Sequence, residues 1–256
     1  MDMLNPHCGV DRDSRGVVRL TICDAGSLNI LSSAVTDGVR EGFHQLAGDR
    51  DIRVLILAGQ SEKSMIGGAD IKEMARLDQK SAELFISRLR DLCEAVRKFP
   101  APVIARLPGW CLGGGLEVAA ACDFRIAAHD ARFGMPEVRV GIPSVIHAAL
   151  LPRLIGWGRA RWLVMTAETI DAPVAFAWGL VDVLAKPGAL DDAVEDTVQS
   201  LLACGPEALR IQKELLRQWE ELPLTESVNL SVGMFGQSFL TGEPQRLMQG
   251  FLDRKR

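Results

Sequence analysis

Two hydrophobic periods alternate along this chain, and their order lays out its elements. Val17–Ile22 alternates as a half-buried strand does, and residues 33–47 repeat Val35, Val39, Phe43 and Leu46 at helical intervals, with Ser33 as the expected N-cap. Val54-Leu55-Ile56-Leu57-Ala58 is a continuous apolar run ending at Gly59, the pattern of a strand buried on both faces. A loop rich in Gly and Ser then opens into a first helical turn at residues 70–74, and residues 82–99 read as a longer amphipathic helix. The order repeats with a strand at 102–105, a glycine turn at 113–115, a short helix carrying Glu117, and a strand at 124–127. Strand, turn and helix in repetition predict a mixed α/β core.

From Ile146 onward the pattern is mostly helical, over 150–155, 160–167 and 172–178, and Pro206 opens a further helix reaching about Trp219. The exception is a strand signal at 181–184. The expected division is a sheet-containing core over residues 1–190 and a helical C-terminal region over 191–256. Beyond Leu224 the apolar residues, Val228, Val232, Phe235, Leu240, Leu247 and Phe251 among them, occupy too short a span to enclose a core of their own. That segment is expected to dock on the core or, given its apolar load, on a neighbouring subunit.

Composition narrows the function classes. With 256 residues, 48% apolar and 24% charged, the chain has enough material for a large core and does not read as disordered. A net charge of −4 without any long block of like charge argues against nucleic acid as the main partner. The six cysteines are scattered with no Cys-x-x-Cys spacing, so free thiols rather than a metal or redox site are expected. The N-terminus lacks an apolar signal core and no apolar run approaches the roughly 18 residues of a membrane span. A cytoplasmic protein without a membrane partner is the expectation.

The chemistry concentrates in three places. Gly113-Gly114-Gly115-Leu116-Glu117 puts a carboxylate into a run that is apolar on every face, where burial is costly and pushes a carboxyl pKa upward. Phe133-Gly134-Met135-Pro136-Glu137 supplies a second acid behind a rigid turn. Both Gly113–Gly115 and Gly67-Gly68-Ala69-Asp70 lead into a helix start, where exposed N–H groups favour negative charge. Two such donors aimed at one developing oxyanion are each worth about 3 kcal/mol of transition-state stabilisation. Other chemistries fail on spacing: Val118 stands where the third glycine of Gly-x-Gly-x-x-Gly belongs, no Gly-x-Ser-x-Gly elbow exists, and the four histidines form no His-x-x-x-His pair. His147, shortly after Pro143-Ser144, reads as a structural histidine at a helix start.

These residues resemble the crotonase superfamily, and within it the enoyl-CoA hydratases, from Val17 to Arg256. The resemblance is carried by Gly68-Ala69-Asp70-Ile71-Lys72-Glu73-Met74, Gly109-Trp110-Cys111-Leu112-Gly113-Gly114-Gly115-Leu116-Glu117 and Phe133-Gly134-Met135-Pro136-Glu137, in that order. It implies a core of repeated ββα units, a helical C-terminal trimerisation region, and assembly as homotrimers or hexamers. It further implies an acyl-CoA thioester substrate, with no metal and no cofactor beyond the coenzyme A of the substrate. Ala69 and Gly114 would form the oxyanion hole, Glu117 would deprotonate water, and Glu137 would protonate the α-carbon. Residues Ala69, Asp70, Ile71 and Lys72 would line the adenine and phosphate portion of CoA, and Ser144 would lie near the catalytic water. Where hydratases carry Pro-Gly-x-Gly-Gly-Thr-Gln-Arg-Leu, this chain has Pro143-Ser144-Val145-Ile146-His147-Ala148-Ala149-Leu150-Leu151, so bulky Val145 and Ile146 are expected to reshape the acyl pocket. The alternatives are isomerisation or C–C cleavage on the same enolate, or a non-catalytic acyl-CoA or RNA-binding relative.

Overall fold

The computed structural model describes residues 1–254. Its strands, in chain order, are β1 (Asp2–Asn5), β2 (Cys8–Arg12), β3 (Val17–Ile22), β4 (Val54–Gly59), β5 (Ser64–Ile66), β6 (Val103–Leu107), β7 (Trp110–Leu112), β8 (Phe124–Ala127), β9 (Arg132–Gly134), β10 (Thr169–Asp171) and β11 (Val183–Leu184). Seven of them form a large sheet in the order β1-β2-β3-β4-β6-β8-β11, and the other four a small sheet in the order β10-β9-β7-β5. The large sheet is parallel from β3 to β11, with β1 and β2 added antiparallel at one edge.

The helices are α1 (Ser33–Ala47), α2 (Ile71–Met74), α3 (Gln79–Arg97), α4 (Gly114–Ala121), α5 (Leu151–Ile155), α6 (Trp157–Thr166), α7 (Ala172–Trp178), α8 (Leu190–Leu202), α9 (Pro206–Glu221), α10 (Leu224–Ser238) and α11 (Glu243–Arg254). Three strands of the large sheet each pass directly into one of the small sheet, β4 into β5, β6 into β7 and β8 into β9, before a helix or helical turn follows. This is the repeated ββα unit. The second strand of each unit is three residues long, too short for any alternation to register in the sequence.

The apolar run of β4 is buried from both sides. Val54, Ile104 and Ile126 pack against Val194, Val198 and Leu201 of α8, while Leu55, Leu57 and Val103 face the main core with α1 and α3. The repeat also places the chemistry. Strands β5, β7 and β9 run parallel as neighbours, so their C-terminal ends deliver residues 67–70, 113–114 and 135–137 side by side at one edge of the small sheet. Ligands bind at such carboxyl ends because the loops and helix starts found there converge.

Local details depart from the pattern-based reading for identifiable reasons. Ser32, not Ser33, caps α1: its hydroxyl accepts from the Val35 amide at 3.3 Å, while the Ser33 amide donates to Glu73 at 2.9 Å. Helix α3 starts at Gln79 rather than 82 because Asp78 and Ser81 form a reciprocal capping box. The strand expected at 181–184 shrinks to Val183–Leu184, since the Leu180 and Val181 amides close α7 on the Ala175 carbonyl.

The C-terminal segment folds back on its own chain. The buried Glu243 carboxylate accepts from the Glu207 and Ala208 amides at 3.3 and 2.9 Å, capping α9 from outside, and Trp219 Nε1 donates to Ser231. Docking is one-sided: Leu224 and Leu240 stay more than 80% exposed, and Val232 and Phe235 lie open beside them. Helix α9 itself is tied down by Lys213, whose buried Nζ reaches Asp123 Oδ2 at 2.7 Å and the Ala101 carbonyl at 3.1 Å. Asp123 also accepts the Val103 amide at 2.7 Å, so this one pair links α9, β6 and the start of β8. Removing one partner of a largely buried pair costs about 3 kcal/mol. Lys213→Ala is therefore expected to lower unfolding stability by that amount in urea titrations, and a loss under about 1 kcal/mol, the worth of a surface pair, would contradict this placement.

Candidate active site

The backbone at Ala69 and at Gly114 lines a cavity of about 680 Å³. Gly113 adopts φ +52°, a conformation that costs glycine little, and its N–H donates to the Gly134 carbonyl at 2.9 Å. A side chain at 113 would collide with Glu137 Oε1. Helix α4 begins at the next residue, so the Gly114 N–H belongs to the first turn and has no partner within the helix. Opposite, Gly68 at φ +130° passes its carbonyl to the Leu31 amide, and the Asp70 amide returns to the Leu31 carbonyl, both at 2.9 Å. Extended backbone alternates its polar groups, so the Ala69 N–H between them faces away from Leu31. Ala69, Gly113 and Gly114 all line the cavity.

Both acids line it too. Glu117, one turn into α4, is 3% exposed, and its Oε1 accepts the Ala148 amide at 2.9 Å. Burial pushes its pKa up to about 8; the Ala148 hydrogen bond opposes this and the nearby Glu137 charge adds to it. Glu137 opens a 3₁₀ turn over Glu137–Val140, and its Oε2 accepts from the Ser144 hydroxyl at 2.8 Å. The remaining walls are mostly apolar, with Met74, Leu77, Phe85, Ile86 and Leu89 on one side and Val140, Ile142 and Val145 on the other. Among the described residues no group of three His, Cys, Asp or Glu side chains is placed to hold a metal ion.

Other expected site residues fall differently. Ile71 lines the cavity, but Asp70 and Lys72 do not: the Asp70 carboxylate caps α2 by accepting from the Lys72 and Glu73 amides, and Lys72 projects to solvent. Ser144 also stays off the cavity wall and serves through its hydroxyl on Glu137. Val145 reaches the cavity, whereas Ile146 packs inward on the core.

Sequence reasoning singled out the 143–151 segment as a departure from the family pattern but missed that it joins the acids. Ser144 holds Glu137 and Ala148 holds Glu117, and the 3₁₀ turn Ile146–Leu150 begins between them. Ile146 sits at φ +38°, a region that costs a β-branched residue roughly 1–2 kcal/mol. His147 turns away from the cleft and places Nε2 2.9 Å from Glu94 Oε1 on α3. An amide has no signature in residue type, so Ala148 could not be found from the pattern.

Residues 12–256 match the family model for enoyl-CoA hydratase/isomerase. A crotonyl-CoA hydratase of Syntrophomonas wolfei is 32% identical over 231 residues, covering 90% of this chain and 89% of its own. A probable enoyl-CoA hydratase of Bacillus subtilis is 34% identical over 235 residues, with 89% of each chain covered. The crystal structure of an enoyl-CoA hydratase from Mycobacterium smegmatis superposes with a TM-score of 0.93 at 31% identity, over 98% of this chain and 97% of that one.

The raised Glu117 pKa has a consequence for stability. Between the ordinary carboxyl value of 4.5 and about 8, the unfolded chain has lost this proton and the folded one keeps it. Stability therefore falls with rising pH across that window and levels off above it. Glu117→Gln removes this loss, so the variant is expected to match wild type near pH 4.5 and to exceed it by roughly 4 kcal/mol at pH 8 in denaturant titrations. A stability difference that does not change with pH would refute the burial argument.

Proposed function

The chain belongs to the enoyl-CoA hydratase/isomerase family, and from that premise we propose that it adds water reversibly to the double bond of a 2-enoyl-CoA. The observation that carries this reading is the shared cavity: two carboxylates and two free-facing amides line one space, and isomerisation or cleavage of the same enolate asks less of a second acid. The thioester oxygen accepts from the Ala69 and Gly114 amides, which hold the charge that develops as the enolate forms. Glu117 takes a proton from water, whose oxygen bonds to the β-carbon. Glu137 gives a proton to the α-carbon. The pair thus takes one proton from water and gives one to the α-carbon, so its proton count is unchanged over the reaction, and dehydration reverses the sequence.

A Glu117 pKa near 8 supports the base role, because a base titrating close to working pH is both basic enough and sufficiently ionised. The Ser144 hydroxyl on Glu137 and the Ala148 amide on Glu117 fix the two side chains relative to one another. Coenzyme A enters as part of the substrate, and the steps draw on no further cofactor or metal. The adenine and phosphate portion is assigned to the outer edge formed by Ala69 and Ile71, with Asp70 shaping the turn and Lys72 free to reach a phosphate from solvent.

Assembly belongs to the same reading. The bare apolar face of α10 and the turn after it, with Leu224, Val232, Phe235 and Leu240, supports docking between copies as a homotrimer or hexamer. All six cysteines are free, five of them buried, which supports a reducing compartment such as the cytoplasm.

Crotonyl-CoA should lose its enoyl absorbance on incubation with the protein, whereas an isomerase would leave it. Glu117→Gln and Glu137→Gln are each expected to slow that loss by at least about a hundredfold while thioester binding, followed calorimetrically, stays within a few fold. Wild-type rates in either variant would exclude the mechanism. Sedimentation at micromolar concentration is expected to give three or six subunits, and Leu240→Asp with Val232→Asp to shift the protein toward monomer; a wild-type monomer would rule out the assembly.

A further inference from the structure

The segment between the two acids is anchored from outside the cavity. It touches both carboxylates, through the Ser144 hydroxyl at one end and the Ala148 amide at the other, yet its backbone passes through Ile146 at φ +38°, where an isoleucine does not rest unaided. The anchor on the page is the next side chain: His147 is 7% exposed and reaches Glu94 of α3 at 2.9 Å. We infer that His147 and Glu94 are a positioning pair, whose hydrogen bond holds the 145–148 turn in its strained conformation and so keeps the Ala148 amide on Glu117 and the Ser144 hydroxyl on Glu137. Neither residue lines the cavity, so both act on the acids through one turn of backbone. The inference rests on the hydration reading for its kinetic consequence and on the structure alone for its anchoring.

The surroundings suit a fixed anchor. Glu94 is also bonded by Lys98 at 3.0 Å and Arg97 at 3.1 Å. Burial pushes its carboxyl up, but the hydrogen bonds from Lys98 and His147 and the Arg97 charge outweigh that and hold it at about 2. It therefore remains an ionised acceptor throughout the working range and keeps two partners if His147 is removed. Burial lowers the His147 pKa, Glu94 opposes this, and the Arg97 and Arg90 charges add to the lowering. A neutral ring donates Nε2–H to Glu94, and replacing it takes no positive charge away from Glu117. The groups facing Glu117 are Glu137 from the 3₁₀ turn, Cys93 from α3 and the Ala148 amide, which also donates to the Val145 carbonyl.

The Ala148 hydrogen bond lowers the Glu117 pKa, so a released turn lets that pKa rise. In His147→Leu and in Glu94→Leu, the rising limb of kcat/KM governed by Glu117 is expected to move up by about one pH unit, with the rate about tenfold lower below the limb and KM changed little. Glu94→Gln keeps an acceptor and is expected to leave the limb in place. Ile146→Gly in the His147→Leu background relieves the strain that the anchor opposes and is expected to return the limb toward its wild-type position. Infrared titration of the Glu117 carboxyl stretch gives the same shift in a protein that turns over no enoyl-CoA, so failure of the hydration reading leaves this test intact. Glu94→Leu serves if His147→Leu does not fold. A limb and a carboxyl titration that stay put in the variants lacking the contact, or a rate lowered equally at every pH, would overturn the inference.

Discussion

Glu117 is a carboxyl group that the fold keeps out of water, and the rest of the site is arranged around that fact. A buried ionised carboxylate without partners is among the most costly things a protein can hold. Here the cost is met partly by protonation and partly by one backbone amide, that of Ala148. The result is a carboxyl group whose proton affinity is raised toward neutrality, held one turn into the short, buried helix α4.

That placement follows from the repeat. Parallel neighbours β5, β7 and β9 end together, and each end does a different thing: Gly68 turns the backbone so that the Ala69 amide faces away from Leu31, Gly113 starts α4, and Pro136 delivers Glu137. Gly113 matters twice, through its positive φ and because Glu137 packs where a side chain would stand. Shape and charge are thus joined at one residue, and the mouth of the site is set by strand ends that the sheet itself holds in register.

Much of this was legible beforehand. The long strands and helices announced themselves because their periods are long enough to recognise, and Glu117 stood out because apolar residues surround it on every face. The three-residue strands of the small sheet did not, since no period fits into so few positions, and the N-terminal hairpin β1-β2 was passed over as well. Motif likeness pointed to Ala69, Gly114 and Glu137, which line one cavity, and to Asp70, whose carboxylate caps α2 and lies off the cavity wall. The turn at 144–148 was visible only as a departure from the glycine-rich pattern. What it does depends on an amide and a backbone angle, and neither is a property of residue type.

The proposed reaction requires the two amides and the two carboxyl groups to address one carbonyl and its neighbouring carbons. A crystal structure with an unreactive acyl-CoA thioester tests it most directly. The thioester oxygen is expected at about 3 Å from both the Ala69 and Gly114 nitrogens, with Glu117 and Glu137 flanking the α- and β-carbons on one face. A thioester bound with its oxygen away from either amide, or with the carboxyl groups on separate parts of the acyl chain, would contradict it.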